Sequence, residues 1–203
     1  MKRASEWALT RGSRMQGLTL PELLATIAVA AIVLGIAVPG FRELFVQNRL
    51  TTRINHLVLD LNLARSEAVK RGGPTVVLCK KNPDPDHTSC STETNHIWET
   101  GWIVFVDLDN DSVAGANEIL RTQLRLPTGF TLRASSGFAD AVVYRSTGAT
   151  TATGLFVLCA GNDLTRSRAV FINALGHIYQ GQDTDNDDIP EDDENHEIGT
   201  CDP

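Results

Sequence analysis

The sequence predicts an α+β protein in which one long N-terminal helix packs on an antiparallel β-sheet. Two features of the pattern support this fold class. Residues 18–71 are patterned as a helix, apolar on every face at first and then along one stripe. Residues 75–180 contain short β-branched and apolar segments separated by turn signals. One helix followed by a run of short strands is typical of an α+β domain.

The first helical segment has the length and composition of a membrane span. The residues from Leu18 to Val38 would form a helix of roughly 30 Å, the thickness of a bilayer's hydrocarbon core. The segment before it ends at Gly17 and carries the basic side chains of Lys2, Arg3, Arg11 and Arg14. Lys and Arg stay on the cytoplasmic side of a membrane. The sequence therefore predicts a single-pass membrane protein whose bulk, after Val38, is extracytoplasmic.

One carboxylate, Glu22, interrupts this apolar segment. An ionised carboxylate at membrane depth costs about 2.5 kcal/mol or more, so an intramembrane Glu indicates a functional site with a positive partner. Cleavage between Gly17 and Leu18 would create that partner, because it frees an amine at the start of the helix. The alternative is a secretory signal cut after the apolar segment. It is disfavoured because residues 37–40, Ala-Val-Pro-Gly, make a poor cleavage site.

Changes in pattern along the chain predict five segments. They are a leader at 1–17, a transmembrane assembly helix at 18–40, an amphipathic helix at 41–72, a β-rich headpiece at 73–182 and an acidic tail at 183–203. Pro39 is expected to kink the helix near the membrane surface. The amphipathic helix should bury an apolar stripe from Phe41 to Ala68 and expose a polar face, made of Arg49, Arg53, Asp60, Arg65, Glu67 and Lys70. Strands are predicted at about 75–79, 101–106, 118–126, 130–134, 141–145, 154–159, 169–173 and 177–180.

The charge of the chain is concentrated in its tail. The formal net charge is −7, and without the leader's four basic residues and one acidic residue it becomes −10. Residues 183–203 contain ten Asp or Glu and no Lys or Arg. This charge profile is not that of a protein that coats nucleic acid.

The chain has an even number of cysteines: Cys79, Cys90, Cys159 and Cys201. An exported domain lies in an oxidising compartment, so disulfides are expected, and four cysteines allow three pairings. We favour Cys79 with Cys90 and Cys159 with Cys201, the second tying the acidic tail to a strand. A zinc site using Cys79, Cys90 and nearby histidines is disfavoured, because the spacing of common structural zinc sites is absent.

Two acidic segments have the ligand spacing of a calcium loop. Carboxylates occupy positions 1, 3, 5 and 12 of two twelve-residue windows: Asp107, Asp109, Asp111 and Glu118, then Asp183, Asp185, Asp187 and Glu194. Both windows lack the glycine expected at position 6. The first is interpreted as a hairpin turn with solvated carboxylates. The second is the better candidate for Ca²⁺, because the tail's carboxylates repel one another unless a cation intervenes; no other cofactor is expected.

The start of the chain resembles the type III signal of type IV prepilins and pseudopilins, in Gly17 followed by LTLPELL. In that family a prepilin peptidase cuts after the glycine and methylates the new terminal amine. The resemblance implies cleavage after Gly17, methylation of Leu18, and pairing of Glu22 with the terminal amine of a neighbouring subunit during assembly. Leu18 stands where the family usually has Phe, and it keeps that position apolar.

The resemblance extends to the GspH/FimT family of minor pilins and pseudopilins. It rests on AVPGF at 37–41, NRLTTRINHLVLDLNLARSEAVKRG at 48–72, VVLC at 76–79, GWIVFVDLDND at 101–111, EILR at 118–121 and LC at 158–159. It implies a type IV pilin-like fold, a helical stalk bearing a β-rich headpiece. It also implies a single-pass inner-membrane protein with a periplasmic headpiece, which is incorporated into a pilus or pseudopilus. The implied partners are other minor and major pilins, the prepilin peptidase and inner-membrane lipid.

Within this family the pattern favours a minor type IV pilin that helps to prime pilus assembly, in pili that serve twitching motility, adhesion or DNA uptake. The alternative is a type II secretion pseudopilin of the GspH type. A DNA-binding transformation pilin is third, because the basic GRxR stretch of such members is replaced by residues 176–179, Gly-His-Ile-Tyr. Arg166 and Arg168, expected in an upstream loop, would offer one or two phosphate contacts. No catalytic motif is present among GxSxG, HExxH and the P-loop, so no enzyme is expected.

Overall fold

The computed structural model describes residues 19–84, 89–93, 97–192 and 197–202. Gly17, Leu18 and Glu194 lie outside these ranges, and so does the predicted leader. The chain divides into two compact units, Met1–Glu43 and Leu44–Pro203. One helix, α1, runs from Leu20 to Arg71 and contributes to both units. The two helical segments predicted from the sequence are continuous in this helix, and Pro39 lies inside it.

In the first unit, α1 is apolar and uncovered. Its large side chains from Leu20 to Phe41 are exposed on every face, including Leu24, Ile32 and Ile36. Within the described residues, α1 is the one helix long and apolar enough to cross a bilayer, and none of its most apolar stretch is buried in the protein. A helix that is hydrophobic all round requires a lipid or protein environment.

In the second unit, α1 supplies one side of the core. At its start the predicted stripe is wrong, because Phe41, Leu44 and Phe45 are exposed. From Ile54 onward it is confirmed, and Leu50 adds one earlier turn; the fully buried side chains are those of Leu50, Ile54, Leu57, Leu61, Ala64 and Ala68. They recur at spacings of three and four, so they share one face of the helix. Each buried leucine or isoleucine contributes about 1.5–3 kcal/mol relative to an exposed one. This face is why the amphipathic half of α1 belongs to the headpiece.

The headpiece contains two antiparallel sheets. The eight strands are β1 (Thr75–Lys80), β2 (Trp102–Asp107), β3 (Ile119–Thr122), β4 (Phe130–Ala134), β5 (Ala141–Tyr144), β6 (Gly154–Ala160), β7 (Asp163–Ile172) and β8 (Ile178–Gln180). Four form a sheet in the order β3-β2-β1-β5, and the others form a sheet in the order β4-β6-β7-β8. The sequence places each strand approximately. It does not show that the strands divide into two sheets.

The main core lies between α1 and one face of each sheet. Alternate residues face α1, including Leu78 and Val104 from the first sheet and Phe156 and Val170 from the second. The other faces are also covered. Val77, Cys79, Ile103 and Phe105 form a second apolar cluster, and a third cluster joins β6 and β7 to Ile198 and Cys201. The acidic tail is therefore packed on the second sheet.

β7 is longer than predicted, which changes the position of two arginines. The sequence predicts a strand from residue 169, but β7 begins at Asp163, and Arg166 and Arg168 lie within it. Gly161, with φ of 74°, sits in the turn between β6 and β7. That turn lets Arg168 pair with Leu158 across the hairpin. The expected loop is thus strand, because cross-strand pairing overrides the polar composition of residues 163–168.

Candidate functional site

Glu22 lies in the first turn of α1. Thr19 precedes the helix, and its backbone N–H lies 3.5 Å from Glu22 Oε2. The pattern Thr-x-x-Glu at a helix start is a capping box, in which the Glu side chain reaches back toward the first residue. The carboxylate is thus held close to the start of the apolar segment. A positive charge placed just before Thr19 would be within reach of it, and negative charge is favoured at this end of a helix.

The face of α1 that begins at Glu22 alternates small side chains with larger apolar ones. A shallow groove along this face is lined by Glu22, Ala25, Thr26, Val29, Ala30, Val33 and Leu34. Spacings of three, four and seven keep these residues on one side of the helix. Small residues let a second helix approach closely in a membrane. The arrangement therefore suits helix–helix packing with a carboxylate at one end.

The headpiece is fixed to α1 by a buried carboxylate that the sequence assigns to the solvent face. Asp60 is 1% exposed. Its Oδ2 accepts a hydrogen bond of 2.8 Å from Trp102 Nε1, and its Oδ1 lies 2.7 Å from Arg121 Nη1. Asp60 stands three residues after Leu57 and four before Ala64, a spacing that places it on the buried face. That spacing is the signal that was missed.

Further polar contacts join the same helix to both sheets. Arg65, also expected on the solvent face, is half-buried and donates to the carbonyl oxygens of Gly148 and Leu175. Gln180 donates to Asn55. These contacts cross from the amphipathic part of α1 to loops and strand β8. The amphipathic part of α1 is thus joined to the headpiece by polar contacts as well as by the apolar core.

Two disulfides close the headpiece in the pairing that we favoured from the sequence. Cys79 bonds to Cys90, and Cys159 bonds to Cys201, 42 residues apart. The first bond removes the thiolates that a zinc site at Cys79 and Cys90 requires. The second holds the tail against β6, where Cys159 and Cys201 are both buried.

Residues 53–176 of the chain match the family model described as "Type II transport protein GspH". The chain belongs to the GspH family. The match covers the buried half of α1, the first sheet and most of the second. The resemblance to the GspH/FimT family of minor pilins and pseudopilins is thereby confirmed.

Solved structures similar to this GspH-family chain are crystal structures of the type IV minor pilin FimU from Pseudomonas aeruginosa strain PAO1. In space group P21, FimU is 17% identical with a TM-score of 0.52, covering 76% of this chain and 96% of that chain. In space group P65 the identity is 16% and the TM-score 0.51, covering 75% and 99%. None of the curated proteins compared with the chain matches it. The similarity confirms the expected fold, a long N-terminal helix followed by antiparallel sheet.

The two acidic windows of this GspH-family chain adopt similar loops. Residues at positions 4 and 6 have positive φ in both: Asn110 and Ser112, then Asn186 and Asp188. At position 6, where a calcium loop has glycine, Ser112 and Asp188 take the left-handed conformation. In each loop a glutamate carboxylate accepts a hydrogen bond from the N–H of position 2: Glu118 from Leu108 at 2.8 Å, and Glu191 from Thr184 at 2.7 Å.

The tail carboxylates are grouped differently from the sequence-based expectation. Carboxylate oxygens of Asp183, Asp185 and Glu191 lie within 4.8 Å of one another, as do those of Asp185, Asp187 and Glu197. Glu194, the predicted fourth ligand, is outside the described residues. Calcium binding by the tail stays a prediction, with Glu191 and Glu197 as the described glutamates nearest to the aspartates.

The two arginines considered for DNA both have protein partners. Arg168 Nη2 donates to Gln47 Oε1 at 2.8 Å, and Arg166 Nε lies 3.8 Å from Asp163 Oδ2. Arg168 shares the face of β7 that packs toward α1, two residues before the buried Val170. Its guanidinium therefore acts as a bridge between helix and sheet.

Proposed function

We propose that the chain is a minor type IV pilin that is cleaved after Gly17 and takes part in the assembly or priming of a pilus. The observation that carries the proposal is the uncovered apolar helix that has Glu22 in its first turn and continues into a disulfide-closed headpiece. A single chain leaves this helix without apolar partners, so either lipid or other pilins must surround it. A subunit that is stored in the inner membrane and then joins a helical filament uses both environments.

Glu22 is the proposed assembly carboxylate. Cleavage would leave Leu18 as the first residue, with its amine one residue before the Thr19 N–H that faces Glu22. A carboxylate at membrane depth costs about 2.5–3.5 kcal/mol on insertion scales, and an opposite charge offsets that cost. In the filament the amine of a neighbouring subunit supplies this charge. The proposed partners are therefore the prepilin peptidase, inner-membrane lipid, and other minor and major pilins.

The first experiment tests processing and assembly together. Mass spectrometry of the mature protein is expected to give an N-terminus at Leu18, carrying one added methyl group. Glu22→Ala is expected to be processed normally yet to be depleted at least tenfold from sheared surface filaments. Glu43→Ala, which removes another carboxylate of the same helix, serves as the control and should be incorporated normally. A mature chain beginning upstream of Leu18, or normal incorporation of Glu22→Ala, would contradict the proposal.

A second candidate function, a type II secretion pseudopilin, is favoured by the description of the matching family model. In that role the same pairing of Glu22 with a neighbouring subunit's terminal amine would hold the stalk in a periplasmic pseudopilus. Purification distinguishes the two roles. Recovery of the chain in sheared pili supports the pilus role, whereas copurification with the secretion machinery and absence from pili supports the pseudopilin.

DNA uptake is the least favoured role. Arg166 and Arg168 are both engaged within β7 and α1, and the tail adds negative charge nearby in sequence. Few phosphate contacts give weak, salt-sensitive binding. A gel shift at low salt with the purified protein is expected to show no retardation.

A further inference from the structure

We propose that the loop from Asp107 to Glu118 binds one calcium ion, through carboxylate oxygens of Asp107, Asp109 and Glu118. This site is separate from the assembly helix and from the acidic tail. It follows β2, the most deeply buried strand of the first sheet, and it leads into β3. The proposal does not depend on which filament the chain joins.

The three carboxylates are close enough to share a cation. One oxygen from each lies within 4.8 Å of the other two. Calcium binds oxygen ligands at about 2.3–2.6 Å, so two oxygens on one ion are separated by at most about 5 Å. The observed grouping fits this limit. Residues at positions 4 and 6 turn the chain so that positions 1, 3 and 12 converge.

A second and independent observation is the state of Asp107. Its side chain is 4% exposed, and its Oδ1 is buried with no hydrogen-bond partner in the structure. Across the described residues, no Lys or Arg forms an ion pair with Asp107, Asp109 or Glu118. A buried carboxylate without a partner is strongly unfavourable unless a proton or a cation neutralises it. The interpretation of this loop as a turn with solvated carboxylates is therefore wrong at Asp107.

The surroundings provide access and further oxygen atoms. Asp107, Asn110 and Ser112 line a cavity of about 320 Å³, together with residues of β1 and β5. Calcium takes six to eight oxygen ligands, from carboxylates, amide or backbone carbonyls and water. Glu118 is held in place because its two carboxylate oxygens accept the N–H groups of Leu108 and Gly115 at 2.8 and 2.9 Å. A carboxylate oxygen that accepts one hydrogen bond keeps a lone pair for a metal.

Among the described residues of the tail loop, no carboxylate oxygen is both buried and without a hydrogen-bond partner. Its buried carboxylate, Glu191, accepts hydrogen bonds of 2.7 Å from both the N–H and the hydroxyl of Thr184. Asp183 accepts the N–H groups of residues 186, 187 and 188. The carboxylates of Glu191 and Asp183 thus have hydrogen-bond donors within the protein. The structure thus assigns the cation to the first loop.

Equilibrium dialysis of the full-length protein in detergent with ⁴⁵Ca²⁺ tests the assignment. We expect one saturable ion at the first loop with a dissociation constant of about 10⁻⁴ to 10⁻³ M, the range of extracellular calcium modules. Asp109→Asn changes an exposed side chain and is expected to weaken uptake at least tenfold without affecting folding. Asp107→Asn should do the same, with circular dichroism reporting its fold. Asp185→Asn, the matched change in the tail loop, should leave this ion bound.

Three results would overturn the proposal. One is no uptake up to about 10 mM Ca²⁺, well above the expected range. Another is unchanged uptake by Asp109→Asn. The third is loss of all uptake by Asp185→Asn alone, which would move the site to the tail.

Discussion

Replacing Asp60 with alanine tests how the stalk helix is held to the headpiece. The change removes the acceptor of a hydrogen bond from Trp102, whose side chain is 1% exposed. A buried donor left without a partner costs about 1–3 kcal/mol. The ion pair with Arg121 adds less, because the Arg121 side chain is 52% exposed and exposed pairs contribute up to about 1 kcal/mol. Asp60→Ala should therefore lower the free energy of unfolding by about 1–4 kcal/mol.

The matched control is the double variant Asp60→Asn/Arg121→Met. It removes the ion pair, keeps an acceptor for Trp102 and leaves no buried carboxylate without its cation. It should cost about 1 kcal/mol. Asp60→Asn should lie between the two, because its amide oxygen still accepts from Trp102. Chemical unfolding of the full-length protein in detergent, followed by tryptophan fluorescence, measures all three. The reasoning is refuted if Asp60→Ala costs no more than the double variant Asp60→Asn/Arg121→Met.

Three further predictions concern the headpiece. Replacing Cys159 and Cys201 together by alanine should lower the free energy of unfolding by about 4 kcal/mol, from the chain entropy of a loop with sequence separation 42, measured by urea unfolding. Gly176→Ala should destabilise the fold, because φ is +73° and the new Cβ would lie 2.0 Å from a backbone oxygen. The control is Gly161→Ala, where φ is +74° but a new Cβ would have no atom within 4 Å. It should cost only about 1–2 kcal/mol, from backbone strain. Equal melting temperatures for the two variants would contradict the idea that the close approach at Gly176 matters. Burial raises the pKa of Tyr144 above the ordinary 10.0, so stability is unaffected below pH 10 and falls as pH rises further, since the unfolded state ionises first. Tyr144→Phe should remove that part of the alkaline loss in thermal melts at pH 9 to 11.

The sequence predicts those parts of the fold that depend on local pattern. The stripe containing Ile54, Leu57 and Leu61 follows from helical spacing, and β2 follows from its continuous apolar run. The parts that depend on long-range pairing are not predicted. Nothing local shows that β1 pairs with β5 in one sheet while β4 pairs with β6 in the other.

The candidate site residues also divide into those that a local pattern reveals and those that depend on long-range contacts. Glu22 stands out in the sequence because a charge interrupts an apolar run. Asp60 does not, because the prediction grouped it with neighbouring charges on the helix although its spacing matched Leu57 and Ala64. Asp107 was underestimated because its burial results from β2 and the adjacent strand β1, which are joined by the register of the sheet. Burial of a polar side chain is a tertiary property, and composition does not contain it.

The bond between Cys159 and Cys201 joins cysteines far apart in the chain, so the order in which the cysteines are oxidised affects how this protein folds. Cys159 lies in β6, 42 residues before its partner, so synthesis from the N-terminus completes it before Cys201. During that interval it is an unpaired thiol in a chain that already contains Cys79 and Cys90. A non-native bond formed then would have to be exchanged before the native pair could close. Chains truncated before residue 201 should accumulate as covalent dimers in cells.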